Sequence, residues 1–265
     1  MRTTSEATAR VGPLGLRGSG GDLAMTWARA SGSGTGPLLV LLPGLGATAD
    51  VYAGVEAVLA DTWEGGWMAV DLPGHGRSAW AAPYTFARHA DAVRALLPQD
   101  REVVVLGHSM GGVVALELAD VASAVVAFGV KVDWPDEHVA SARRMAERPV
   151  SHLPTRAEAV DRYLKLAGLT GLVAPEDPTT AAGVVEDAEG WRVAQDPATF
   201  GVGAPDMAGL LARAACPVVL ARGERDPMVS DAELRALAPD PVTLPGLGHN
   251  AHVEDPAAVV ELVLS

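Results

Sequence analysis

Gly107-His108-Ser109-Met110-Gly111 stands between an apolar run, Glu102-Val103-Val104-Val105-Leu106, and a helical pattern that starts at Gly112. Strand, G-x-S-x-G and helix in direct succession make a sharp turn with a serine at its tip. Such a turn strains the backbone and carries the hydroxyl clear of the sheet. Side chains two positions before and after the serine would meet neighbouring backbone, which accounts for Gly107 and Gly111. The helix that follows offers unpaired N–H groups and a positive dipole end to a developing oxyanion. The chemistry this suits is nucleophilic attack, with Ser109 as the nucleophile.

A hydroxyl is a weak nucleophile and needs a general base, itself oriented by an acid. Both are expected downstream, on loops after later strands. Gly246-Leu247-Gly248-His249-Asn250-Ala251-His252 supplies the candidate base, His249, with His252 as the alternative. Arg222-Gly223-Glu224-Arg225-Asp226-Pro227 supplies the candidate acid, Asp226, with Asp133 and Glu224 as rivals. An oxyanion needs two N–H donors. One is the amide of Met110. The other comes from Pro43-Gly44-Leu45-Gly46, Leu45 first and Gly44 second, where glycine lets backbone approach a substrate closely. Trp134, Trp191 and Tyr163 are candidate walls of an apolar pocket. His75 and Arg77 read as shaping a turn near it. His89, His108, His138, His152 and the single cysteine, Cys216, read as structural.

The elements that must hold these groups follow from the apolar runs. Leu38–Leu42, Trp67–Val70, Glu102–Leu106, Ala124–Val130, Pro217–Ala221 and Pro241–Leu244 read as buried strands, with an antiparallel strand near Met25-Thr26-Trp27. Helices are expected over Thr85–Leu97, Met110–Asp120, Ser230–Leu237 and Asp255–Leu264; Ser230 with Glu233 is a capping-box pattern, and Asp255-Pro256 an N-cap and first turn. The alternation predicts an α/β fold with a mainly parallel central sheet and helices on both faces. Residues 134–204 break the rhythm. They show no strand run and two helical patterns, Glu137–Glu147 and Thr155–Ala167, and read as a helical insertion where the loops gather.

Four pieces in order resemble the α/β-hydrolase superfamily: the Pro43–Gly46 loop, Asp71-Leu72-Pro73-Gly74-His75-Gly76-Arg77-Ser78, the Ser109 elbow, and Asp226 followed by His249. The resemblance runs from about Asp22 to Leu264 and is weakest over the insertion. It implies a core of residues 1–133 and 205–265 with a helical cap, 134–204, over the pocket. It also implies that His249, the first histidine of its motif, is the catalytic one. Where the family often has histidine in the oxyanion loop, this chain has Pro43. The expected activity is hydrolysis of a carboxylic ester or related acyl compound, without a cofactor or metal. Carbon–carbon bond hydrolysis, thioester or lactone cleavage, lyase chemistry and a non-catalytic ligand receptor are the alternatives.

Composition narrows the partners. The chain has 265 residues, 49% hydrophobic and 20% charged, enough to bury a sizeable core. Thirty-three acids against 20 bases give a net charge of −13, which repels nucleic acid. No apolar stretch has the length of a membrane span, and Met1 to Gly21 lacks an apolar leader pattern. The expectation is a cytoplasmic protein acting on a small, mostly apolar acyl substrate; oligomeric state has no signature here. Two other chemistries have partial motifs. Gly44-Leu45-Gly46-Ala47-Thr48-Ala49 with Asp71 approximates a dinucleotide fingerprint, and His249, His252 and Glu254 approximate a metal set. Neither accounts for the elbow.

Overall fold

The computed structural model describes residues 25–32 and 34–265. The leader reading of residues 1–21 lies outside the described residues. Strand β1 (Trp27–Gly32) is the antiparallel strand expected near Trp27, and β2 (Leu38–Leu42) is buried at all five positions. Leu38, Val40 and Leu42 enter one core and Leu39 and Leu41 the other, so the run is apolar throughout because both faces are covered. Helix α1 (Ala53–Thr62), not among the helices expected from the sequence, leads to β3 (Gly66–Asp71).

Helix α2 (Phe86–Arg94) starts where Thr85 caps it: the Thr85 side chain accepts from the Arg88 amide. Strand β4 (Val103–His108) continues two residues beyond the expected end and delivers Ser109 onto α3 (Met110–Glu117). Strand β5 (Ala124–Phe128) stops short of the expected Val130, because Gly129 takes a φ of 64° that an extended strand does not accommodate.

The insertion carries α4 (Asp136–Ala146) and α5 (Arg156–Leu166), the latter opened by a complete Thr155–Glu158 capping box. It also carries strands, contrary to the sequence reading. β6 (Val184–Asp187) and β7 (Gly190–Val193) pair antiparallel, Asp187 opposite Gly190 across a two-residue connection. Four residues each, with Glu186 and Asp187 at the turn, give no apolar run; Gly190 at φ 124° and the Arg192 Nε–Asp187 Oδ2 ion pair at 2.8 Å hold the hairpin instead.

The chain returns through α6 (Met207–Ala212), β8 (Val218–Gly223), α7 (Asp231–Arg235), β9 (Val242–Leu244), α8 (Ala251–Glu254) and α9 (Pro256–Leu264). Ser230 and Glu233 form the expected capping box, and Asp255 accepts from the Ala258 amide as N-cap of α9. Among the described residues the main sheet has seven strands in the order β1-β3-β2-β4-β5-β8-β9, all parallel except β1. Helices α2, α3 and α6 pack on one face; α1 and α9 pack on the other, where α5 adds Ala159, Val160, Tyr163 and Leu164 to the same core. The parallel register places the ends of β2, β4, β5, β8 and β9 along one edge, where an α/β sheet builds its sites.

Candidate active site

Ser109 sits between β4 and α3 with φ 51° and ψ −116°, and it alone among the described non-glycine residues has positive φ. The turn is as tight as its sequence requires. A Cβ on Gly107 would stand 2.2 Å from the Gly111 carbonyl oxygen, and one on Gly111 2.2 Å from that of Leu42. The loop after β2 lies against the same turn: a Cβ on Gly44 would be 3.3 Å from Ser109 Cβ and 2.9 Å from His108 Nδ1. The half-buried Ser109, with Met110, Leu45 and Gly44, lines a cavity of about 480 Å³, a size suited to a small organic ligand.

His249 lines the same cavity. Its Nδ1 donates to Asp226, 3.0 Å from Oδ2 and 3.1 Å from Oδ1. The Asp226 side chain is fully buried and also accepts from the Met228 amide at 2.8 Å. Two loops must cross closely to bring these residues together. Gly223 marks the crossing, since a Cβ there would stand 2.2 Å from the Gly248 carbonyl oxygen. Backbone bonds lace the pair, Glu224 N to Leu244 O at 2.9 Å and Arg225 N to Leu247 O at 2.8 Å. Glu224, a rival acid in the sequence, accepts from Gly246 N at 2.7 Å and so holds the loop that carries His249. Asp133, the other rival, is exposed, and the histidine faces Asp226.

His252 does not compete for the acid. Its ring is buried against Tyr52, His108 and Phe128, and neither ring nitrogen has a hydrogen-bond partner among the described residues. Burial, with repulsion from His249 second, pushes it down to about 3, so it stays neutral. His108 has more to do than its structural reading suggested. It lines the cavity, and its Nε2 donates to the His249 carbonyl oxygen at 2.8 Å. Burial, then repulsion from His252 and His249, lowers its pKa well below the ordinary value. A histidine inside the elbow motif was visible in the sequence; its reach to a residue 141 positions away was not.

The two rival motifs are used otherwise. Asp71 is fully buried and accepts from Ala49 N at 2.7 Å, Arg77 N at 2.9 Å and Arg77 Nε at 2.7 Å, which leaves no carboxylate edge for a ribose. Glu254 accepts from the Gly248 amide at 2.9 Å. Among the described residues no three His, Cys, Asp or Glu side chains are grouped to hold a metal ion. Of the aromatic residues expected around the pocket, Trp134 lines the cavity. Tyr163 instead lies 2% exposed in the core, and Trp191 packs on the β6–β7 hairpin side of that core. The insertion contributes more than Trp134. His138, Ser141, Ala142 and Met145 line the cavity at helical spacing, so one face of α4, which buries no residue completely, looks onto it.

The chain belongs to the alpha/beta hydrolase family, whose model matches residues 39–262. Its similarity to curated proteins includes a pimeloyl-[acyl-carrier protein] methyl ester esterase of Methylococcus capsulatus, 29% identical over 211 residues that span 74% of this chain and 79% of that protein. Lipase LipV of Mycobacterium tuberculosis is 57% identical over 53 residues, 19% of this chain and 20% of the lipase. Among solved structures, the thioesterase domain from a curacin biosynthetic pathway superposes with a TM-score of 0.78 at 19% identity, over 96% of this chain and 99% of that one. That likeness is one of fold. Among the described residues no helix is long and apolar enough to cross a membrane.

Proposed function

We propose that the protein is a cytoplasmic serine hydrolase that cleaves a carboxylic ester or related acyl compound. His249 Nε2 takes the proton of Ser109, whose Oγ attacks the carbonyl carbon. The tetrahedral oxyanion rests on the amides of Met110 and Leu45, where one donor typically contributes about 3 kcal/mol to the transition state. His249 returns the proton to the leaving alcohol, and water then cleaves the acyl-enzyme by the same route. Asp226 fixes the tautomer that leaves Nε2 free to act and stabilises the imidazolium. Residues 134–204 act as the cap, and the apolar side chains of Leu45, Val113, Met145 and Phe200 on the cavity wall favour an apolar acyl chain.

One observation carries this reading: a strained serine and a histidine backed by a buried aspartate share one cavity wall. The naming of curated relatives as esterase and lipase supports it. The test is labelling with a fluorophosphonate probe, alongside turnover of p-nitrophenyl esters of graded chain length, a thioester and a lactone. Ser109 is expected to be labelled, the label to vanish in Ser109→Ala, and an oxoester to be the best substrate. A pure ligand receptor would show neither labelling nor turnover, and a better thioester or lactone rate would reassign the substrate class.

A further inference from the structure

The chain has two lysines, Lys131 and Lys165, and both line the cavity that holds Ser109 and His249. Among the described residues no aspartate or glutamate lines it, although acids outnumber bases 33 to 20 in the chain. The arginines are used differently. Among the described residues every lysine or arginine ion pair is made by an arginine, as in Arg77–Asp71, Arg29–Glu56 and Arg192–Asp187. Neither lysine has a carboxylate within ion-pair distance among those residues.

Lys131 is the better held of the two. It follows β5, is half-buried, and its ammonium lies 4.8 Å from the centre of the Trp134 ring and 2.7 Å from His138 Nδ1. Trp134 and His138 are themselves cavity walls, so the charge is bracketed by the cavity's own rings. His138 takes one of the three hydrogen bonds an ammonium can donate. Glu233, an acid whose field Lys131 reaches, has its carboxylate engaged by the Ser230 cap of α7. Lys165, one residue from the end of α5, is exposed and adds a second positive charge at the rim.

A net charge of −13 repels anions at a distance, so an anionic substrate needs compensation within the cavity itself. A compact ammonium with rotatable donors suits a carboxylate or a phosphoryl group equally. From this we infer that the substrate is an acyl ester bearing an anionic group, which Lys131 receives and Lys165 attracts. The inference rests on the hydrolase reading above and specifies its substrate.

The experiment compares kcat/KM for the monomethyl ester of a dicarboxylic acid with that for its dimethyl ester, and adds the methyl ester of an ω-phosphono acid of equal length. The wild type is expected to favour an anionic ester over the neutral diester at least tenfold, mostly through KM. The carboxylate and phosphono arms identify which anion fits. Lys131→Met is expected to lower that preference at least tenfold, Lys131→Arg to retain most of it, and Lys165→Met to reduce it while increasing KM. Equal or better use of the diester by the wild type overturns the inference, as does an unchanged preference in Lys131→Met. Both results leave fluorophosphonate labelling of Ser109 intact, so they are distinct from failure of the hydrolase reading, in which labelling and ester turnover are lost together.

Discussion

Ser109 holds positive φ in a backbone shape that L-residues avoid, and such conformations cost about 1–3 kcal/mol each. The strain persists because Gly107, Gly111 and the Leu42 carbonyl leave the turn no other path. Ser109→Gly is therefore expected to be more stable than Ser109→Ala by about 1 kcal/mol in urea unfolding, with both variants inactive. Equal stability would mean that the turn is unstrained. At the proposed acid, Asp226→Asn keeps the shape and presents the wrong hydrogen-bonding partner to His249 Nδ1. Turnover is expected to fall by roughly 10⁴ with the circular dichroism spectrum unchanged, as in the triad template, while Asp133→Asn, at an exposed position, changes little. Wild-type rates in Asp226→Asn would remove Asp226 from the mechanism.

At the scale of elements, the turn after β3 shows why a sequence motif without catalytic groups matters. Asp71 gathers Ala49 from the loop after β2 and Arg77 from its own turn, and Arg77 lies 3.4 Å from the centre of the Trp27 ring on β1. Arg77 also pairs with Asp50, which pairs in turn with Arg29. The network thus ties three strand ends together beside the loop that carries Gly44 and Leu45. Removing the cation would leave the buried Asp71 carboxylate with only the Ala49 and Arg77 amides, a change that typically costs about 1.5–3 kcal/mol. Arg77→Met is expected to lose that much in denaturant unfolding, and Asp71→Asn combined with it to recover part of the loss. A loss under 1 kcal/mol would show that the pair contributes little.

For the whole molecule, the buried histidines set a pH limit. Burial pushes His75 down to about 4, and His89 and His252 down to about 3, with repulsion from His75 adding at His89 and from His249 at His252. His108 is lowered well below its ordinary value by burial first. All four bind protons more weakly folded than unfolded, where the ordinary value is about 6.5. Their contribution is complete above that value and is lost as pH falls from it toward the folded values, by about 1.4 kcal/mol per pH unit for each. Together that is at most about 5.6 kcal/mol per pH unit, against a total stability of about 5–15 kcal/mol. Unfolding is expected between pH 4 and 6, and His89→Phe should flatten the stability–pH slope by about one quarter in thermal melts. A melting temperature that is flat down to pH 4 would refute this.

Local chemistry fixed much of what the sequence could reveal. Doubly buried strands read as unbroken apolar runs, Thr155 and Ser230 announce their helices, and the glycines flanking Ser109 are demanded by atoms close to them along the chain. The β6–β7 hairpin stayed hidden because its strands are short and charged, and α1 because its apolar pattern is weak beside its alanines. Tyr163 and Trp134 look alike as aromatic residues of the insertion, yet one fills the core and the other faces the cavity. Which acid meets His249, what His108 holds and where the two lysines gather are long-range matters. They depend on how parallel strand ends align and how closely two loops cross at Gly223, and neither is encoded in the spacing of residues along the chain.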